Sequence, residues 1–164
     1  MPDRACRTPD HSRVVMTQLV LPGDANTVGN AFGGRILQWI DIAAGVAARR
    51  HADGVSVTAS IDSVQFIRPV KLGDVVTLEA RLTRAWTSSL EIIVTVPCDE
   101  TEPSPSHEAI TSFLTFVAID EQGRPRPIPC LEPTTEPERK LYEEADRRRV
   151  ARLAQRQHSV SRNQ

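Results

Sequence analysis

From residue 33 to about residue 48 the chain carries Ile36, Ile40, Ala43, Ala44 and Ala47 at spacings of three and four, and this stripe constrains the fold more than any other feature. Apolar residues in that period define one face of a helix. Its flanks are apolar too (Leu37, Trp39, Val46), so the helix is expected to be buried nearly all round. Something must wrap it. Ahead of it, residues 14–21 form a β-branched and aliphatic run stopped by Pro22-Gly23, which predicts a strand. Behind it, Val55, Val57, Ala59 and Ile61 alternate with Ser56, Thr58, Ser60 and Asp62, and the apolar phase then slips to Val64 and Phe66. A one-residue slip needs a bulge to absorb it, placed here near Asp62-Ser63. Val76, Leu78, Ala80 and Leu82 alternate cleanly with polar residues, Leu90, Ile92, Val94 and Val96 repeat the pattern, and residues 109–119 are apolar on both faces, as in a more central strand. Strands that follow one another through short loops pair antiparallel. The expectation is an α+β fold in which a curled antiparallel sheet surrounds one long helix.

The 164 residues fit a single domain. Residues 1–12 are polar and contain prolines, and are expected to be a disordered tail; residues 13–131 form the domain. Residues 132–164 form a charged C-terminal helix and tail, opening on the capping pattern Thr135-x-x-Glu138. There Arg147, Arg148, Arg149 and Arg152 balance Glu143, Glu144 and Asp146, with Leu141, Tyr142, Val150 and Leu153 expected to dock the helix. The acidic, proline-rich stretch 97–106 reads as a mobile connection.

Charge and cysteine usage exclude several classes of function. Twenty Lys+Arg against 21 Asp+Glu leave a net charge of −1, without the basic excess of a nucleic-acid binder. No apolar run is long enough to span a membrane, and the N-terminus lacks the apolar block of a secretory signal, so the expected location is the cytoplasm. Cys6, Cys98 and Cys130 are odd in number and widely spaced, which suggests neither a disulfide framework nor a metal knuckle. His11, His51, His107 and His158 offer no pair at metal-ligand spacing, and no serine sits in a G-x-S-x-G elbow. Serine-triad, thiol and zinc chemistry drop out, and no metal is expected.

Two features point to chemistry. Gly23, Gly29, Gly33 and Gly34 fall in the loop that leads into the helix, and the last two lie where it starts. A helix's first turn presents free N–H groups and partial positive charge, suited to a polarised carbonyl oxygen or a phosphate; the plainer reading is a turn that closes a loop. Asp41 is the only acid between Gly33 and Ala52. An acid on a buried helix is costly unless satisfied, which makes it a candidate functional group, or else the partner of Arg35, Arg49 or a neighbouring subunit. Gly34 and Gly45 share its helix face, as if space were left beside it.

Pro22-x-Asp24-x-Asn26-x-x-Gly29-x-x-Phe32-Gly33-Gly34-x-x-Leu37-x-Trp39-Ile40-Asp41-x-Ala43-Ala44 resembles the acyl-CoA hydrolase branch of the hotdog-fold acyl-CoA thioesterases. The likeness continues through Val57-Thr58, Asp62-x-Val64-x-Phe66-x-x-Pro69, Gly73-Asp74, Ser88-Ser89-Leu90-Glu91 and Phe116-Val117-Ala118-Ile119-Asp120, over about residues 14–131. The resemblance implies a hotdog fold, dimers with the active site at their interface, and assembly into homohexamers as trimers of dimers. It implies hydrolysis of fatty acyl-CoA with Asn26 and Asp41 as catalytic residues, the Asn of one subunit facing the acid of its neighbour. Backbone amides at Gly33 and Gly34 would polarise the thioester carbonyl, and no cofactor is implied beyond the coenzyme A of the substrate. Arg68, Lys71, Arg84, Ser88 and Ser89 are the implied contacts to CoA. Where relatives carry Gly-Arg before the serine pair, this chain has Trp86-Thr87. A dehydratase of the same fold would need a histidine in or before the central helix, where this chain has none. A non-catalytic acyl-CoA-binding module is the remaining alternative.

Overall fold

The computed structural model describes residues 5–66, 68–97 and 110–161. A 20-residue helix, α1 (Gly33–Ala52), lies across one face of a five-stranded antiparallel sheet. The sheet is built from β2 (Val14–Leu19), β3 (Ser56–Ile61), β4 (Val75–Ala85), β5 (Ser89–Val96) and β6 (Ile110–Ala118), in the order β2-β4-β5-β6-β3. The expected α+β architecture is present, and α1 packs against all five strands.

The helix can approach the sheet closely because its buried face is mostly alanine. Ile36, Ile40, Ala43, Ala44, Ala47 and Ala48 are buried against inward residues such as Leu78, Leu82, Ile92, Leu114 and Phe116. Burial is not complete all round, contrary to what the apolar flanks of α1 lead one to expect. Ile42 is 46% and Val46 40% exposed. The apolar residues beyond the main stripe form a second, outward face.

Strand β3 also departs from expectation. Its pairing places Ser56 opposite Ala118 and Thr58 opposite Phe116, so these polar residues face α1 while Val57, opposite Val117, faces away. The bulge exists, but between Thr58 and Ser60 rather than near Asp62-Ser63. Beyond Ile61 the chain leaves the sheet, which removes the need for a later one.

Central strand β5 is buried on both faces. Its inner residues meet α1; its outer face lies under α2 (Glu136–Ser161). Thr135 and Glu138 form the expected capping box: the Glu138 amide donates to Thr135 Oγ1 at 3.4 Å and the Thr135 amide to Glu138 Oε2 at 3.0 Å. Of the expected docking residues, Tyr142 packs against the core and Leu141 is half-buried, but the other two stay out. Val150 is 68% and Leu153 49% exposed, whereas Ala145 is fully buried and two arginines turn inward. Glu91, fully buried on β5, accepts hydrogen bonds from Arg148 (Nη2, 2.8 Å), Arg152 (Nη2, 2.7 Å) and Thr83 Oγ1 (2.7 Å). The Arg148 guanidinium also stacks on Phe113, 4.0 Å from the ring centre. A buried carboxylate needs such compensation, so charge rather than an apolar stripe holds this helix.

The N-terminal segment is ordered from Cys6 onward, contrary to the tail expected over residues 1–12. β1 (Cys6–Arg7) pairs in parallel with β7 (Cys130–Leu131), and Pro9–Ser12 make a 3₁₀ turn that buries Ser12. Cys6 and Cys130 form a disulfide, which the wide cysteine spacing had argued against. Linear spacing of 124 residues says nothing once the sheet brings the two ends together. Cys98, His107 and nearly all of the 97–106 stretch lie outside the described residues. Among the described residues no helix is long and apolar enough to cross a membrane, and no cluster of potential metal ligands occurs.

Candidate active site

The loop before α1 is built by short-range hydrogen bonds. The Asp24 carboxylate accepts from the Leu21 amide at 3.0 Å and pairs with Arg35 of the first helical turn at 2.8 Å. The Phe32 amide donates to the Asp24 carbonyl at 2.9 Å, which brings the loop back to the helix start. Gly29, with φ of +80°, makes the reversal that a larger residue resists, and its amide donates to the Asn26 carbonyl.

Asn26 is half-buried in this turn. Its Oδ1 accepts from the amides of Val28 (3.0 Å) and Asn30 (3.1 Å). Both acceptor positions are thus used by the loop, which orients the carboxamide so that its NH₂ donors remain for another group. Gly33 and Gly34 open α1, and their amides meet no acceptor among the described residues. A Cβ on Gly34 would meet nothing within 4 Å, and one on Gly33 would touch the Phe66 ring at 3.4 Å. Three sets of N–H donors therefore gather at one end of the helix, with open space beside them.

Asp41 lies two turns further on, about 12 Å along the axis from Gly33 at 1.5 Å per residue. It is half-buried, not fully buried, and Thr58 Oγ1 of β3 donates to its Oδ1 at 2.7 Å. Arg35 turns to Asp24 and Gln38 instead, so no cation neutralises Asp41 among the described residues. Thr58 is the residue that sequence reasoning left without a role. Local patterning gave no signal for it, because the alternation in β3 put Thr58 on the polar side. The space beside Gly45 is already taken, because Phe116 lies 3.7 Å from where its Cβ would be.

The expected CoA contacts scatter. Arg68 is exposed and meets no partner among the described residues. Lys71 is exposed, and its backbone pairs with Asn30 beside the Asn26 loop. Ser88 and Ser89 sit half-buried at the β4–β5 turn, where their carbonyls accept from Ala118 and Trp86. Arg84 is committed elsewhere: it pairs with Asp146 at 3.1 Å and stacks on Tyr142 at 3.7 Å, both on α2. Trp86, which departs from the expected pattern, donates from Nε1 to Asp146 at 3.0 Å and carries Arg149 over its ring.

Residues 28–103 match the model of the thioesterase superfamily. The Bacillus subtilis protein YkhA, an uncharacterized acyl-CoA thioester hydrolase, is 41% identical over 148 residues, which cover 90% of this chain and 86% of that one. An acyl-CoA hydrolase from Staphylococcus aureus, solved with butyryl coenzyme A, coenzyme A and coenzyme A disulfide, superposes with a TM-score of 0.85 at 34% identity, covering 96% of this chain and 94% of its own. That enzyme was also solved with single Asp→Ala, Asn→Ala and Thr→Ala substitutions. An apo-hexameric acyl-CoA thioesterase gives a TM-score of 0.84 at 40% identity, covering 92% and 97% of the two chains. With a helix wrapped by a curled sheet and relatives this similar over most of its length, the chain belongs to the hotdog-fold thioesterase superfamily. Within it, its place is the acyl-CoA thioester hydrolase branch.

Proposed function

We propose that this protein hydrolyses fatty acyl-CoA to a free fatty acid and CoA, as a homohexamer whose active sites form at dimer interfaces. The observation that carries this reading is Asp41: a half-buried carboxylate held by one hydroxyl of β3, with no cation paired to it among the described residues. Support comes from the S. aureus variants, whose substituted Asn, Asp and Thr carry numbers two higher than Asn26, Asp41 and Thr58 carry here.

Geometry favours a site shared by two subunits. The Gly33 amide, at the helix start that the Asn26 loop leads into, lies about 12 Å from Asp41 along the helix axis, too far to serve a single reacting carbon. Exposed Ile42 and Val46 on α1, with Val57 and Ile61 on edge strand β3, offer a surface for a second copy, and an unpaired edge is a ready docking element. One subunit then contributes Asn26 and the helix-start amides to stabilise the developing oxyanion, and the other contributes Asp41. Asp41 takes a proton from the water that adds to the carbonyl carbon, and CoA leaves as the thiol; attack by Asp41 itself, through an anhydride, gives the same products. Arg68 and Lys71, with Ser88 and Ser89, are the proposed contacts to CoA. Coenzyme A enters as part of the substrate, no resident cofactor takes part, and the cytoplasm is the proposed location.

Thiol release from acyl-CoAs of increasing chain length tests this, with Asp41→Ala beside the wild type and mass measurements on both assemblies. Turnover by the wild type and a loss of about 10³-fold in the still-assembled variant are expected. Binding of acyl-CoA without thiol release by either protein would instead favour a non-catalytic binding module.

A further inference from the structure

Residues 62–66 and 68–70 follow β3 without belonging to any strand, and Phe66 walls one side of the start of α1. Phe66 on this segment lies against Gly33, and Arg68 is exposed beside it. A stretch without a hydrogen-bonded ladder keeps its place only if its ends are fixed. The far end is tied by the Ala31 amide, which donates to the Val70 carbonyl at 2.7 Å. The near end is tied at Asp62: its amide donates to the Phe113 carbonyl at 2.9 Å, and its carboxylate accepts from Arg152 Nη1 at 2.9 Å.

Arg152 has a second hold. Its Nη2 donates to the fully buried Glu91 on β5, two residues from Ser89. One planar guanidinium therefore joins the wall segment to the central strand just beyond the Ser88–Ser89 turn, a geometry that a lysine ammonium does not reproduce. Arg148 satisfies Glu91 independently, so Arg152 is not needed to keep that carboxylate paired. Among the described residues, α2 makes no other hydrogen bond or ion pair to Asp62.

We infer that Arg152 is a positioning residue for the substrate's CoA moiety: by bridging Asp62 and Glu91 it sets the spacing between the 62–66 wall and the β4–β5 turn. The inference rests on the thioesterase reading for its consequence in turnover, and on the geometry alone for its consequence in mobility. Without the bridge the segment moves and Arg68 loses its place, whereas Asp41, Thr58 and Asn26 stay where other elements hold them.

Arg152→Gln and Asp62→Ala test this in the full-length assembled protein, with an acyl-CoA and the matching acyl thioester of N-acetylcysteamine, which lacks the nucleotide. Both variants are expected to raise KM for acyl-CoA about tenfold with kcat within about twofold, and to leave kinetics on the truncated thioester unchanged. Hydrogen exchange should quicken at residues 63–66 and stay unchanged in β6. An equal loss on both substrates would overturn the inference, as would an effect of Arg152→Gln that Asp62→Ala does not reproduce, which would mark simple undocking of α2. A wild type that releases no thiol would defeat the thioesterase reading instead, and the exchange at residues 63–66 would still decide the bridge.

Discussion

The two ends of α1 are treated in opposite ways. At the C-terminal end every one of the last four carbonyls finds a donor. Arg49 accepts from the Asp53 and Gly54 amides, Arg50 and His51 from the Arg7 guanidinium, and Ala52 from Arg126. Asp53, in the left-handed conformation, also pairs with Arg7, and the Cys6–Cys130 disulfide holds β1 beneath it. At the N-terminal end no side chain caps the helix, and the Gly33 and Gly34 amides meet no acceptor among the described residues. A helix loses stability at an uncapped end, so donors are left free where a ligand can use them. One end is overdetermined for stability, and the other is left incomplete for chemistry.

That division predicts which changes should cost stability and which should cost turnover. The largest effect on stability is expected from Cys6→Ser: in the chain-entropy account a crosslink closing so long a loop contributes about 5 kcal/mol. Denaturant unfolding should show that loss while kcat of the folded assembly is kept; a folded but inactive variant would break the comparison. Asn26→Ala should do the reverse, with kcat down about 100-fold, equivalent to about 2.7 kcal/mol of transition-state stabilisation, measured by steady-state thiol release on protein whose unfolding midpoint is checked alongside. Arg7→Met is expected to cost about 2 kcal/mol in unfolding free energy, from lost charge-assisted bonds to the helix end, and again to spare kcat.

The smallest effect sharpens the same contrast through pH. His51 is fully buried near that C-terminal end, and its Nε2–H donates to the Pro129 carbonyl at 3.1 Å. Desolvation pushes its pKa below the ordinary imidazole value of 6.5, against a smaller opposing effect of the Pro129 bond. Below that value the unfolded chain binds a proton that the folded chain refuses, so stability falls as pH drops through 6.5 and levels off once the folded His51 also titrates. Unfolding curves from pH 7.5 to 5 should show this slope in the wild type and less of it in His51→Gln, whose amide can still donate to Pro129. An unchanged slope would place the titration elsewhere.

Much of this was readable from the residues. The helix follows from the three-and-four spacing of Ile36 to Ala47, β4 and β5 follow from strict alternation, and β6 follows from a run apolar on both faces, because all three patterns record burial in a single core. Asp41, Gly33 and Gly34 stood out as candidates because a lone acid and paired glycines are expensive in a buried helix, whereas Asn26 stood out only through the family resemblance. What stayed hidden depends on contacts between distant segments. Thr58 faces inward because Asp41 needs a donor, reversing the apolar side expected of β3. Docking of α2 through Arg148 and Arg152 depends on Glu91, whose burial local periodicity does not reveal. Arg84 looked available until α2 occupied it.

The disulfide also has a mechanical meaning. Between Cys6 and Cys130 the chain is a closed covalent ring that contains the loop of Asn26, all of α1 and the whole five-stranded sheet. Helix α2 hangs outside it. Tension applied at the two termini would run through the sulfur–sulfur bond and bypass the ring, so α2 would peel from the sheet while the strands carried no load. Reduction would reroute the same force through β2 and β6 and expose the sheet to it.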